Sequence, residues 1–130
     1  MADLTYSDKN NQKKKISAFA SGNIVTSAAM NDTLFTLPVN SLVTAVYAIV
    51  LTASGTATNT VDVKVGSTVV ANEVVVGVLG VASGTVAKTF FPTGGIVTVV
   101  AGADTPGTTG VIRIVVEYIE VELTDGTYTS

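Results

Sequence analysis

The 130-residue chain has no cysteine, no histidine and no tryptophan, only three prolines, and charged side chains at 13% of its positions. Without cysteine there is no disulfide framework, thiol nucleophile or zinc ribbon. Without histidine there is no Ser-His-Asp triad and no imidazole metal ligand. Charge is scarcest in the middle, where residues 16–112 hold only Asp32, Asp62, Lys64, Glu73, Lys88 and Asp104. A soluble monomer usually carries charge on about 25–35% of its surface. This chain must cover itself with Thr, Ser, Asn, Gly and Ala, or have its flanks buried by copies of itself or by a partner. Long apolar runs are missing too. The most apolar stretch, 69–81, is interrupted by Asn72, Glu73, Gly77 and Gly80, so no membrane span is expected. Residues 1–15 contain no apolar h-region, so no secretory signal is expected.

What is present is β-branched. The chain has 23 Val, 20 Thr and 7 Ile, residues that are stiff at χ1 and suit a pleated surface better than a helix. No stretch of 12 residues shows clean 3.6-residue periodicity, and Gly and Pro punctuate the chain at short intervals. The expected fold is all-β, an antiparallel two-sheet β-sandwich of about eight strands over residues 16–123. A jelly roll is the first choice and a generic Greek-key sandwich the second; the Cys and Trp marks of immunoglobulin topology are missing. A basic, flexible arm (1–15) and a polar tail (124–130) flank it. No internal repeat of 20–50 residues appears.

Along the chain, ISAFA and NIVTS read as a short strand pair around Ser21-Gly22-Asn23, and 33–37 as a strand stopped at Pro38. Residues 42–52 are apolar on both parities, which predicts a central strand covered on both faces, or on one face and by a neighbouring subunit. Residues 60–65 alternate cleanly, with Val61, Val63 and Val65 inward and Asp62 and Lys64 outward. Residues 68–79 read as two short strands joined near Asn72-Glu73, or one strand bent by a bulge at Gly77. Strands over 84–91 and 96–101 and a loop over 102–110 follow. The last strand, 111–123, is expected to be the longest, and its pattern changes hands. Ile112, Ile114, Val116 and Tyr118 share one face, whereas Ile119, Val121 and Leu123 lie on the other. Both runs serve one core only if a bulge intervenes near Tyr118; otherwise Ile119, Val121 and Leu123 form a subunit interface.

Candidate chemistry is sparse. Glu120 and Glu122 share parity, with carboxylates roughly 7 Å apart, but such a pair more commonly forms a solvated edge than a cation site. Asp104 has no second acid nearby in sequence, and Asp62 alternates with Lys64 on an exposed face. Gly94-Gly95 is a turn, since no glycine pair joins a strand to a helix as a phosphate loop requires. Phe19, Phe35, Phe90 and Phe91 fall in strands and are expected in the core, leaving Tyr6 and Tyr128 in the tails. No enzyme, cofactor or metal is expected. Lys13-Lys14-Lys15 stands beside Asp3 and Asp8 in an acidic protein, which argues against nucleic acid. With Lys9, these lysines are the candidate contacts to an acidic protein surface.

The segment Leu37-Pro38-Val39-Asn40-Ser41-Leu42-Val43, the stretch TATNTVDVKVG around residues 57–65, and the closing TTGVIRIVVEYIEVE of 108–122 occur in that order. Together they resemble the small all-β minor structural proteins of tailed bacteriophages, over roughly residues 37–122. The resemblance implies a decoration, or cement, protein with a jelly-roll-like body. It would form homotrimers, bind the major capsid protein on the outside of the head after synthesis in the host cytoplasm, and stabilise the capsid. A receptor- or glycan-binding knob of a head or tail fibre is the alternative, and an exposed aromatic cluster would favour it.

Overall fold

The computed structural model describes residues 16–121, which form eleven strands and no helix. They are β1 (Ile16–Ala20), β2 (Ile24–Val25), β3 (Asn31–Leu37), β4 (Ser41–Thr52), β5 (Thr60–Val65), β6 (Thr68–Val75), β7 (Gly80–Ser83), β8 (Thr85–Val86), β9 (Phe90–Phe91), β10 (Gly95–Ala101) and β11 (Val111–Glu120). Eight of them have four or more residues, and the other three are two-residue pieces.

The strands make two antiparallel sheets. The first runs β1-β11-β4-β7, with β2 also paired to β11 and β9 also paired to β4. The second runs β3-β10-β5-β6-β8. The pairs β1·β11, β3·β10, β4·β7 and β5·β6 are nested in sequence, like rungs of one long hairpin, and fall alternately in the first and second sheet. That is a jelly roll.

The core follows from period-2 alternation. Val61, Val63 and Val65 of β5 are buried while Asp62 and Lys64 face outward, as the sequence predicts. They meet Val97 and Val99 of β10 in the same sheet, and Val46, Ala48, Ile112, Ile114 and Val116 from the first sheet share the one cluster.

Strand β4 explains the two-parity pattern. Its buried positions are Ser41 and Val43, then Val46, Ala48 and Val50. The switch occurs where Glu117 pairs with Ala45 but Tyr118 pairs with Val43, which leaves Thr44 as an extra residue on β4. A bulge thus lies beside Tyr118, but on β4. β11 alternates without interruption through Tyr118, so Ile119 stays on the outer face and does not join the core served by Ile112, Ile114, Val116 and Tyr118. A second extra residue, Leu51, lies between the pairs Val111↔Thr52 and Ile112↔Val50. Within the chain β4 is covered on one face only: its second face is half-buried at Tyr47 and Ile49 and exposed at Leu51.

Other local expectations are corrected. β1 and β2 do not pair with each other; both pair with β11, because the apolar rungs Phe19↔Val116 and Ile24↔Ile112 outweigh the local turn. β6 is one strand ending at Val75, and Gly77 lies beyond it. It has one register shift at Val70 and another at Asn72-Glu73, the first of the two places expected, where Glu73 has φ 55°. That strained backbone is held from both sides. The Glu73 amide donates to Asp62 Oδ1 (2.8 Å), and its carboxylate accepts from Thr60 Oγ1 (2.7 Å) and the Ala103 amide (3.0 Å). The segment expected as one strand over 84–91 divides between the sheets as β8 and β9. Gly84 lies at the crossing from β7 to β8, where a Cβ would lie 2.6 Å from Val74 Cγ2, and residues 87–89 carry the chain back to β9. The longest strand is β4, not β11.

Candidate functional site

β1 begins opposite the end of β11, at Ile16↔Ile119, so residues 16 and 121 lie at one end of the sandwich. The other end carries the loops 26–30, 53–59, 76–79 and 102–110. Two of these, 53–59 and 102–110, are tied together by Asn59, which is 4% exposed. Its Oδ1 accepts from Ser54 Oγ (2.9 Å) and the Thr56 amide (2.8 Å), and its Nδ2 donates to Asp104 Oδ1 (3.2 Å) and Thr105 O (3.0 Å). Thr58 Oγ1 donates to Asp104 Oδ2. Thr26 Oγ1 donates to Gly107 O (2.6 Å) and accepts from the Gly110 amide (3.1 Å). Asp104, considered from sequence as a cation ligand, instead acts as an acceptor that joins two loops. No group of three acidic side chains placed to hold a metal occurs among the described residues.

Phe19, Phe35, Phe91 and Tyr118 are structural, whereas Tyr47 and Phe90 stand half-buried on the outer face of the first sheet, beside Val115 and Leu42, so Phe90 is not in the core as expected. Phe19 stacks between Phe35 (5.1 Å) and Tyr118 (5.5 Å), joining β1 and β11 of the first sheet to β3 of the second. Phe91 also packs on the core. No aromatic residue among those described is fully exposed. A cleft of about 390 Å³ opens beside this edge, lined by Ser21, Asn23, Asp32 and Thr33 with Ile24 and Leu34. It holds no aromatic side chain.

The two outer faces of the sandwich differ. Cross-strand pairs point to the same side of a sheet. On the outer face of the second sheet, Thr98 lies between Thr33 and Lys64, and Val100 between Asn31 and Asp62. Ile96 and Val69 are its exposed large apolar residues. On the outer face of the first sheet, Ile119 lies between Ile16 and Leu42, Val115 between Ala20 and Tyr47, and Arg113 beside Ile49, which in turn pairs with Val81. Val25 stands beside Val111. Exposure reaches 60% at Ile16, 63% at Val25, 47% at Leu51 and 70% at Val81. Arg113 and Glu117 are the charged residues in these β11 rows, and Glu117 is flanked by Ala18 and Ala45. Arg113 Nε donates to Asn23 Oδ1 at 2.6 Å.

Of the residues named from sequence for a subunit interface, Ile119 is half-buried within this apolar face. Val121 is half-buried just beyond it, its amide donating to Asn40 O at 2.7 Å. Leu123 lies outside the described residues, as do Lys9, Lys13, Lys14 and Lys15. Sequence reasoning did not single out Arg113, Val115 and Glu117 as surface features. Their shared parity opposite Ile112, Ile114 and Val116 was the available signal.

No family model matches the chain, and no curated protein matches its sequence. Among solved structures the fold is similar to a chain described as "Cyanophage Pam1 capsid asymmetric unit", with a TM-score of 0.59 and 18% identity. The match covers 85% of this chain and 88% of that one. At that identity the likeness shows a shared jelly-roll fold, nearly end to end.

Proposed function

We propose that this chain is a structural protein of a phage virion that binds the outer surface of the capsid and stabilises it as a decoration protein. The observation that carries the reading is the near end-to-end likeness to a chain from a phage capsid asymmetric unit. The motif order over residues 37–122 supports it independently. An outer face rich in exposed Val, Ile and Leu supports a protein that works in contact with others. The partners are the major capsid protein and further copies of this chain, three being the number that the sequence resemblance implies. Ile119, Val121 and Leu123 are the proposed subunit contacts, and Lys9, Lys13, Lys14 and Lys15 the proposed contacts to an acidic patch of the capsid. The glycan-binding alternative gains no support from the cleft beside β3, which lacks an aromatic side chain.

The test is add-back. Purified chain is mixed with capsids stripped of it, and the disruption temperature is followed by light scattering. Saturable binding with a rise in that temperature is expected. Absence of binding at tens of micromolar chain would overturn the proposal.

A further inference from the structure

We infer that the outer face of the β1-β11-β4-β7 sheet is a self-complementary interface, closed by a second copy of this chain about a two-fold axis that passes over Val115.

Along the outer row of β11 the side chains run Val111, Arg113, Val115, Glu117, Ile119. Read outward from Val115, the row is symmetric in size and polarity but antisymmetric in charge. One direction gives a cation and then an aliphatic residue, and the other gives an anion and then an aliphatic residue. A two-fold axis lying between the sheets and perpendicular to β11 lays one row antiparallel on the other. Val115 then meets the partner's Val115, Arg113 meets the partner's Glu117, and Val111 meets the partner's Ile119. The Arg113–Glu117 contact, being off the axis, is made twice, so both charges on each copy are answered.

The neighbouring strands support the same registration. Glu117 is flanked by Ala18 on β1 and Ala45 on β4, so the sheet is shallow around its carboxylate. A long side chain arriving from above has room there, and Arg113 is the long cation of this face. Its guanidinium uses Nε on Asn23 and keeps further donors at its two terminal nitrogens. Facing sheets in sandwiches cross at about 30°, which displaces rows two residues from the axis by only a few ångströms, within reach of an arginine. A three-fold axis running along the strand would instead bring Arg113 to Arg113 and Glu117 to Glu117.

The area is adequate. Four strand lanes at about 4.8 Å spacing and ten residues at about 3.3 Å rise give a footprint on the order of 600 Å² per copy. Two copies together reach about 1,200 Å², the lower edge of specific, stable interfaces. The occupant is a second copy rather than an unlike partner because the charge order complements itself. The inference keeps Ile119 at the interface and replaces three copies by two at this face. It does not depend on the capsid reading, since the contact forms in solution.

The experiment uses the full chain and its charge-inverted variants in sedimentation equilibrium, with circular dichroism as the check on folding. The unaltered chain is expected at twice the chain mass at tens of micromolar. R113E sets a carboxylate opposite the partner's Glu117, and E117R sets a guanidinium opposite the partner's Arg113. Each alone should weaken association at least tenfold while keeping the β spectrum. Mixed one to one, the two variants should regain association as a heterodimer, and the doubly inverted chain should self-associate again. A monomer for the unaltered chain at 100 µM, a mass of three chains, or single inversions that leave association unchanged would each overturn the inference. Failure of the mixed variants to rescue one another would do the same. Capsid add-back on the same samples reads the decoration role separately.

Discussion

Val100 on the second sheet and Val115 on the first occupy equivalent positions, each on the outer face of a central strand. Val100 is set between Asn31 and Asp62, and Val115 between Ala20 and Tyr47. The composition that makes the chain poor in charge is therefore distributed in two ways. One back is covered with threonine, asparagine and a few charges, as a surface that meets water is. The other is covered with Val, Ile, Leu and Ala around one cation and one anion. Average composition cannot separate these cases, because a threonine and a valine are equally uncharged and equally β-branched. Only register decides which of them looks out and which looks in.

The largest expected effect comes from breaking the register that creates the apolar back. Deleting Thr44 removes the extra residue of the bulge. The chain must then turn either Val43 or the set Val46, Ala48 and Val50 away from the core. Each valine lost from the core costs about 1.5–3 kcal/mol, so the longer run alone accounts for several kcal/mol. That is most of the stability of a domain this size, typically about 5–15 kcal/mol. The deletion variant should be unfolded or should melt at least ~15 °C lower by circular dichroism. The substitution Thr44→Ala keeps the residue count and should melt within a few degrees of the unaltered chain.

Next in size are matched charges on the two backs. Val115→Asp places a carboxylate at the centre of the apolar face, and Thr98→Asp places one on the polar face. Both positions are half-buried at the surface, so both variants should fold. An unpaired charge trapped in an interface costs about 3–5 kcal/mol, so Val115→Asp should weaken self-association by roughly 100-fold or more. Thr98→Asp should leave it unchanged. Equal loss from both, measured by sedimentation, would mean that the two faces do not differ in role.

Much of this architecture is legible in the sequence where a strand is long enough to show its period. β5 reads correctly residue by residue, whereas the change of hands at Tyr118 marks Ile119 turning to the outer face of an unbulged β11, with the extra residue on β4 instead. The short pieces are not legible. β2, β8 and β9 have two residues each, too few for alternation to appear, so 84–91 reads as one strand although it crosses between sheets. The Ser21-Gly22-Asn23 turn suggests a local hairpin, but rungs from nearly 100 residues away on β11 win. The apolar face is partly legible: the parity of Ile119 and Val121 marks it, while its width depends on Ile16, Val25 and Val81, which only the long-range pairing brings together. The Asn59 loop latch was invisible, because its partners Asp104 and Thr105 are set by topology rather than spacing.

A smaller effect is expected from trimming apolar area without adding charge. Val25 and Val81 lie at the margins of the first sheet's back and are 63% and 70% exposed. Threonine has nearly the same shape, so Val25→Thr and Val81→Thr should leave the melting temperature within about 2 °C. Each should weaken association by roughly threefold to tenfold, the worth of part of a buried valine. Val69→Thr on the other sheet, where Val69 is 40% exposed, is the control and should change neither quantity.

The smallest expected effect on self-association comes from removing residues 1–15. Outside that segment the cations are Lys64, Lys88 and Arg113, against eight acids, so most of the positive charge available to an acidic capsid patch comes from Lys9, Lys13, Lys14 and Lys15. Charges at the rim of a contact act mainly on association rate and salt dependence, and less on the lifetime of the complex. The chain lacking 1–15 should therefore keep the sedimentation behaviour of the full chain, since Arg113, Val115 and Glu117 are untouched. It should bind stripped capsids more weakly at low salt, and raising the salt should weaken the full chain more than the shortened one, because screening removes what the deletion has already removed. The segment leads into Ile16, beside Ile119 on the apolar back. If residues 1–15 themselves cover that face, the deletion would change self-association instead of capsid binding. Sedimentation and capsid titration on the same shortened chain thus separate a face closed by a second copy from a face closed by the chain's own first residues.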